Sequence, residues 1–209
     1  MPTSHPRQIN ELIELVRRLD PGRILDVGCG LGKFGFLARE YLEVWGGEKP
    51  YGQWQRTIDA IEGFPDYITP VHGFVYDKVM VGDALEILAG LDRTYDVVLL
   101  IDVLEHFERA DGVALLHRCA GLARHTVVST PKDIGVQEEV FENPLEAHRS
   151  QWRYRDFDGL PNRGFLASRK SIICCFGEDS TGPLRSARRR LLREALHGLL
   201  GNLRLQFLP

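Results

Sequence analysis

Residues 23–35 read RILDVGCGLGKFG, and this stretch decides the fold. The short run RILDV changes abruptly into glycines. Residues 34–44, FGFLAREYLEV, then place Phe34, Leu37, Ala38 and Tyr41 on one helical side. A strand, a glycine turn and a helix in that order open an α/β unit. Upstream, Ile9, Leu12, Ile13, Val16 and Leu19 recur at helical spacing until Asp20-Pro21-Gly22 ends the element. Downstream, strands are expected at 57–61 closing in Glu62, at 78–81 closing in Gly82-Asp83, at 95–101 and at 125–129. Helices are expected at 84–91 and 111–123. The run YDVVLLI at 95–101 is apolar almost throughout, as a central parallel strand buried on both faces requires. Residues 165–169 and 171–176 read as one strand or a tight pair. The pattern as a whole is an open, doubly wound α/β sheet.

Two stretches are irregular. Residues 45–56, WGGEKPYGQWQR, form a loop rich in glycine and aromatic residues. Residues 132–155 are long, polar and poorly periodic, which marks a functional loop.

With 209 residues, 44% apolar and 26% charged, the chain is an ordinary globular protein of one domain, perhaps with a tail. No apolar run approaches the ~18 residues of a membrane span. The start, MPTSHPRQINELIELVRRLD, lacks the uninterrupted apolar core of a secretory signal. Cys29, Cys119, Cys174 and Cys175 contain no CxxC pair, and adjacent Cys174 and Cys175 point to opposite faces of a strand. A disulfide framework and a structural zinc site are therefore not expected, and a reducing, cytoplasmic setting fits. The net charge of −3 conceals a split. Residues 183–209 hold six arginines against Glu194, a charge of +5, while the rest hold 20 bases against 28 acids, a charge of −8. An acidic body opposes a nucleic-acid partner.

In doubly wound sheets, ligands bind beyond the carboxyl ends of the strands. Glu62, Asp83 and Asp102 fall at strand ends and Gly28 to Gly32 follow the first strand, so the polar groups converge on one rim. The loop is G-x-G-x-G. It misses the G-x-G-x-x-G of a dinucleotide site, and there is no G-x-x-x-x-G-K-[ST] for a nucleotide triphosphate. Asp26, just before the glycines, would be unwelcome beside a pyrophosphate but suits an ammonium or a loop amide.

These residues carry a resemblance. ILDVGCGLGKFG is similar to the first motif of class I S-adenosylmethionine-dependent methyltransferases. The acid closing the second strand, the GDA at 82–84 and DVVLLIDVLEH at 96–106 resemble the motifs that follow. The likeness runs over roughly residues 20–176. It implies a Rossmann-like, mostly parallel sheet of about seven strands flanked by helices, the last strand antiparallel, with 165–176 supplying the final pair. It implies S-adenosyl-L-methionine as cofactor. Gly28, Cys29, Gly30 and Gly32 would pack on it, with Asp26 orienting the loop near the methionine ammonium. Glu62 would hold the ribose hydroxyls, Asp59 being the alternative in register. Asp83 would accept from the adenine amino group with Ala84 beside the ring, and Asp102 would lie near the methionine end. Any of these acids equally suits a helix cap, Asp83 and Asp102 most clearly.

Methyl transfer is an in-line displacement that depends on alignment, and an oxygen or nitrogen acceptor calls for a base. His106 in the LEH segment and His148 in the long loop are the candidate catalytic residues. LEH with a later loop histidine is similar to small-molecule O-methyltransferases and to RNA 3′-end 2′-O-methyltransferases. Some members place a divalent metal among these acids and histidines, here Asp102, Glu105, His106 and His148. The first acid is Asp where the RNA-modifying group has Glu, and one loop histidine is available, so no metal is expected. Arg149, Trp152 and Arg155 either hold the acceptor or, for Trp152, pin the loop. Trp45, Tyr51 and Trp54 are candidates to roof the pocket.

The expected organisation is a methyltransferase domain over 1–182 with an N-terminal helix, then a basic amphipathic helical tail over 183–209. Leu184, Leu191, Leu192, Leu196, Leu199, Leu200 and Leu203 gather on one face of the tail. That face would pack on its own domain, on a second copy in a homodimer, or on an anionic membrane surface. The leading function is methyl transfer to a small hydroxylated metabolite or glycan precursor. RNA or protein methylation and a non-catalytic scaffold that retains the fold are the alternatives.

Overall fold

The structure is a computed structural model that describes residues 4–46, 50–92 and 94–206, with the side chains of 198–206 outside the description. Residues 47–49 of the first irregular loop therefore lie outside the described residues, as do the side chains of Leu199, Leu200 and Leu203. Seven strands build one sheet: β1 (Arg23–Val27), β2 (Thr57–Glu62), β3 (Lys78–Val81), β4 (Tyr95–Ile101), β5 (Ala123–Pro131), β6 (Gly164–Leu166) and β7 (Ser171–Gly177). Their spatial order is β3-β2-β1-β4-β5-β7-β6. The pairs β1–β2, β2–β3, β1–β4 and β4–β5 are parallel. β7 runs antiparallel to both β5 and β6. The strand order reverses at β1, where the chain winds first toward β3 and then toward β6. That switch opens a crevice at the carboxyl end of β1.

Helices α1 (Ile9–Leu19), α2 (Lys33–Arg39), α3 (Pro70–Val75), α4 (Ala84–Gly90), α5 (Arg109–Leu122) and α6 (Thr181–Gln206) flank the sheet. Side chains alternate along each strand and so feed two separate cores. One gathers Leu12, Leu15, Ile24, Val97 and Cys175 beneath α1, α2 and α6, and the other gathers Leu25, Val98, Leu115, Cys174 and Phe176 beneath α5. Cys174 and Cys175 serve opposite faces, as their adjacency requires, and all four cysteines are buried and free.

The boundaries depart from the sequence pattern where tertiary contacts intervene. The helix expected over 34–44 is α-helical through Arg39 and continues as a π-helical turn from Glu40 to Val44. Buried Arg39 stands where the register changes. Its guanidinium donates to Val75 O, Arg56 O, Glu43 and Asp77, joining the loop before β2 to the end of α3. Such π turns accommodate one irregular register within a helix. β5 starts at Ala123, two residues before the expected strand, because α5 ends at Leu122 and leads directly into it.

The expected tail begins inside α6, which starts at Thr181. The first turns of α6 are part of the domain: Leu184 and Ala187 are 2% and 0% exposed. Leu192 and Leu196, by contrast, are 64% and 56% exposed. Among the described residues, no helix is long and apolar enough to cross a membrane. The division within α6 is testable by urea unfolding. Leu184→Ala is expected to cost about 2–5 kcal/mol, as for a buried leucine. Leu192→Ala is expected to stay within about 0.5 kcal/mol.

Candidate functional site

The turn after β1 is forced by backbone hydrogen bonds. Gly28 and Cys29 both donate their N–H to the carbonyl of Ile61 on β2, at 2.8 and 3.2 Å. Gly28 adopts φ +69°, and a Cβ there would stand 2.6 Å from the Val103 methyl Cγ2, so no side chain fits. Gly30 lies at φ +54° and donates its N–H to Glu62 Oε2 at 2.7 Å. The second oxygen of Glu62 accepts from Phe64 N–H at 2.9 Å. His72 supports the loop from α3. Its Nδ1 accepts from Thr69 N–H at 3.1 Å, and its Nε2 donates to the Gly30 carbonyl at 2.8 Å.

Around this turn a cavity of about 680 Å³ opens at the strand ends. Gly28, Cys29, Gly30, Glu62, Asp83, Ala84, Asp102, His106 and His148 all line it. Their order across the cavity follows the sheet: Asp83 beyond β3, Glu62 on β2, the glycine loop beyond β1, and Asp102 beyond β4. Asp83 both faces the cavity and caps α4, its Oδ1 accepting from Glu86 N–H at 3.0 Å. Burial pushes the Glu62 carboxyl up, against the pull of the two amides it accepts from. Asp102 has a left-handed backbone, φ +54°, and its carboxylate is bonded to Gln8 and Ser129.

Two of the nine expected cofactor residues stand apart from the cavity wall. Gly32 caps α2 at φ +83° behind the loop. Asp26, expected to orient the loop near the methionine ammonium, does not line the cavity. It sits on the α2 face of β1, 2% exposed, and accepts from Tyr76 Oη at 2.6 Å. Strand alternation turns it beneath the loop, on the side of Tyr76. Burial, the largest cause, pushes its carboxyl up to about 6. Asp59 is likewise inside, accepting from Tyr95 Oη at 2.8 Å, which leaves Glu62 as the acid at the rim.

The two histidines are brought together. The ring centroids of His106 and His148 are 5.2 Å apart. His106 belongs to a 3₁₀ turn, Leu104–His106, and the long loop folds back onto it. Arg149 and Ser150 donate their N–H groups to Glu105 O at 2.7 and 3.1 Å, and His148 donates its N–H to Gln137 O. Trp152 is the pin for this seat, 1% exposed, with its indole N–H toward Leu104 O and Ser150 Oγ. His106 Nδ1 donates to Ala147 O at 3.3 Å, which leaves Nε2 as the acceptor. Burial holds the His106 imidazolium below the usual histidine range, so the ring is neutral near pH 7.

Arg149 lines the cavity, paired with Glu108 at 3.6 Å. The expected aromatic roof is a different structure. Trp54 packs on Arg39 and Phe74, and Tyr51 on Trp54, on the α2–α3 side away from the cavity. Trp45 packs against Tyr41, with the rings tilted by 39°.

Sequence reasoning gave no acceptor role to Glu105, which is 1% exposed and lines the cavity with Oε2 unpartnered. Burial first, then the charge of Asp102, raises its carboxyl well above the usual range. Gln8, His72 and Tyr76 also support the site, through Asp102, the Gly30 carbonyl and Asp26 respectively, and none belongs to a motif of the sequence. The Thr69-Pro70 start of α3 was the available signal for His72. Among the described residues, no group of three or more His, Cys, Asp or Glu is arranged to hold a metal ion.

Three comparisons bear on this site. A sequence model of the family described as a methyltransferase domain matches residues 4–176. Curated proteins give no match. Solved structures share the fold. An O-methyltransferase family protein from Burkholderia thailandensis has a TM-score of 0.54 at 15% identity, over 83% of this chain and 56% of that one. The chain thus spans little more than half of that protein. A SAM-dependent methyltransferase from Archaeoglobus fulgidus gives 0.53 at 22% identity, over 76% and 73%. The magnesium protoporphyrin IX methyltransferase of Synechocystis PCC 6803, solved with bound SAH, gives 0.51 at 17%, over 80% of each chain.

The loop support predicts a pH effect. A carboxyl raised from about 3.9 in the unfolded chain to about 6 in the fold favours folding while protonated. Its contribution is lost as pH rises from about 4 to about 6, on the order of 3 kcal/mol. Asp26→Asn cannot ionise. Its stability relative to wild type, followed by thermal unfolding, is therefore expected to improve between pH 4.5 and 6.5. A difference independent of pH would contradict the buried, raised carboxyl.

Proposed function

The chain belongs to the methyltransferase-domain family, and from that premise we propose that it transfers the methyl group of S-adenosyl-L-methionine to a small, hydroxyl-bearing acceptor. The observation that carries the reading is the row of Asp83, Glu62, the glycine loop and Asp102 across four neighbouring strand ends, with two histidines beyond it. The donor set fits the cofactor chemically. Asp83 suits an amino group, Glu62 suits vicinal hydroxyls, and the glycine turn admits backbone contact where a Cβ would collide. Asp102 suits an ammonium. Bound there, the cofactor supplies a sulfonium-activated methyl group.

The chain's own residues supply alignment and proton removal. Neutral His106, with Nδ1–H held by Ala147 O, presents Nε2 to take the acceptor's proton. His148 stands beside it to orient the acceptor. Glu108, Asp111, Asp133 and Glu146 outnumber Arg149 and Lys170 on this part of the wall. An acidic wall disfavours a phosphate-rich acceptor and supports a small neutral one over RNA.

Calorimetric titration with S-adenosylmethionine and S-adenosylhomocysteine tests the cofactor half. Saturable wild-type binding is expected, weakened at least tenfold in Glu62→Ala. No binding by folded wild type would contradict the function and leave a scaffold that keeps the fold. Once an acceptor is found by screening sugars and polyols, His106→Asn is expected to lower kcat by about 10²–10⁴, with cofactor binding unchanged.

A further inference from the structure

Gln8 is 0% exposed although it stands in a 3₁₀ turn, Pro6–Gln8, outside every sheet element. A buried primary amide must be hydrogen-bonded, and this one is bonded at the cavity rim. Its Nε2 donates to Asp102 Oδ2 at 2.6 Å. The Ser129 hydroxyl, from the end of β5, stands between Gln8 Oε1 and Asp102 Oδ1, the latter at 3.1 Å. A carboxylate oxygen has a second lone pair, so both oxygens keep capacity for a ligand donor. Asp102 also has a positive φ of 54°, a conformation that persists when its surroundings fix it.

The same turn places the N-terminal segment on the cavity. Ser4 and His5 line it beside Asp102 and Lys33. Lys33 Nζ donates to Ser4 O at 3.2 Å. Ser4 and His5 thus share the cavity with the Asp102 carboxylate, a group that matches the ammonium of an α-amino acid.

We propose that Gln8 is a positioning residue for the amino-acid end of the cofactor, holding the Asp102 carboxylate at the rim and fastening the segment whose Ser4 and His5 line the cavity. This rests on the cofactor assignment made above. It divides the cavity energetically: the nucleoside end depends on β1, β2 and β3, and the amino-acid end depends on the N-terminal segment.

Two probes separate these ends. S-adenosylhomocysteine carries both, whereas 5′-methylthioadenosine keeps the nucleoside and thioether but lacks the amino acid. Calorimetry on the full chain would compare wild type with Gln8→Met, which keeps the volume, and with Gln8→Ala. The expected result is a loss of about tenfold in S-adenosylhomocysteine affinity with methylthioadenosine affinity unchanged, which also shows that the nucleoside site remains folded. Equal loss of both ligands would make Gln8 a structural residue and overturn the inference. Unchanged binding of both would overturn it too. Wild type that binds neither ligand would overturn the cofactor assignment and this inference together.

Discussion

Two N–H groups, those of Gly28 and Cys29, share the carbonyl of Ile61, and the rest of the rim takes its position from that anchor. Parallel pairing of β1 with β2 brings the carbonyl to the right height, since Val27 stands opposite Ile61. Once the loop is tied there, Gly30 reaches Glu62, and His72 closes the loop from α3. Val103, on the segment after β4, fills the space against Gly28 that a side chain would need. A turn held on three sides by neighbours is preorganised, so a ligand gains contacts there without ordering the backbone.

The anchor is maintained by burying polar groups that must satisfy one another. Asp26 and Tyr76 pair beneath the loop, and Arg39 joins α2 to Val75, Asp77 and the chain before β2. These groups gain strength from the low dielectric around them, and each costs dearly if its partner is removed. On the opposite face of the sheet, apolar packing does the corresponding work. Trp152 fills the space over Gly112 and thereby seats the long loop against Leu104. The glycine-loop half of the rim is thus fixed from one face of the sheet and the histidine half from the other.

Much of this was legible in the sequence because the signals are local. A strand, its glycine turn and the acid at the next strand end lie within residues 23–62, and their chemistry depends on neighbours in the chain. The sheet and the placement of Glu62, Asp83 and Asp102 follow from that. Long-range packing was not legible. Residues 143–152 leave open whether Trp152 holds an acceptor or pins the loop, and whether His148 meets His106, because both outcomes depend on the carbonyls of Leu104 and Glu105. Gln8 has no local signature, since its partners are 94 and 121 residues away. The pattern of α6 was ambiguous for a related reason: a leucine stripe reads alike on its own domain, a partner or a lipid surface. Burial of Leu184 and Ala187 assigns its first turns to the domain.

The central claim is that the strand-end acids read one ligand in the order of the sheet. A crystal structure of the complex with S-adenosylhomocysteine tests it most directly. The expected complex has adenine at Asp83, ribose hydroxyls on Glu62, the amino-acid end at Asp102 and the thioether facing His106. A nucleoside bound with the reverse orientation, or seated away from the Gly28–Gly30 turn, would contradict it.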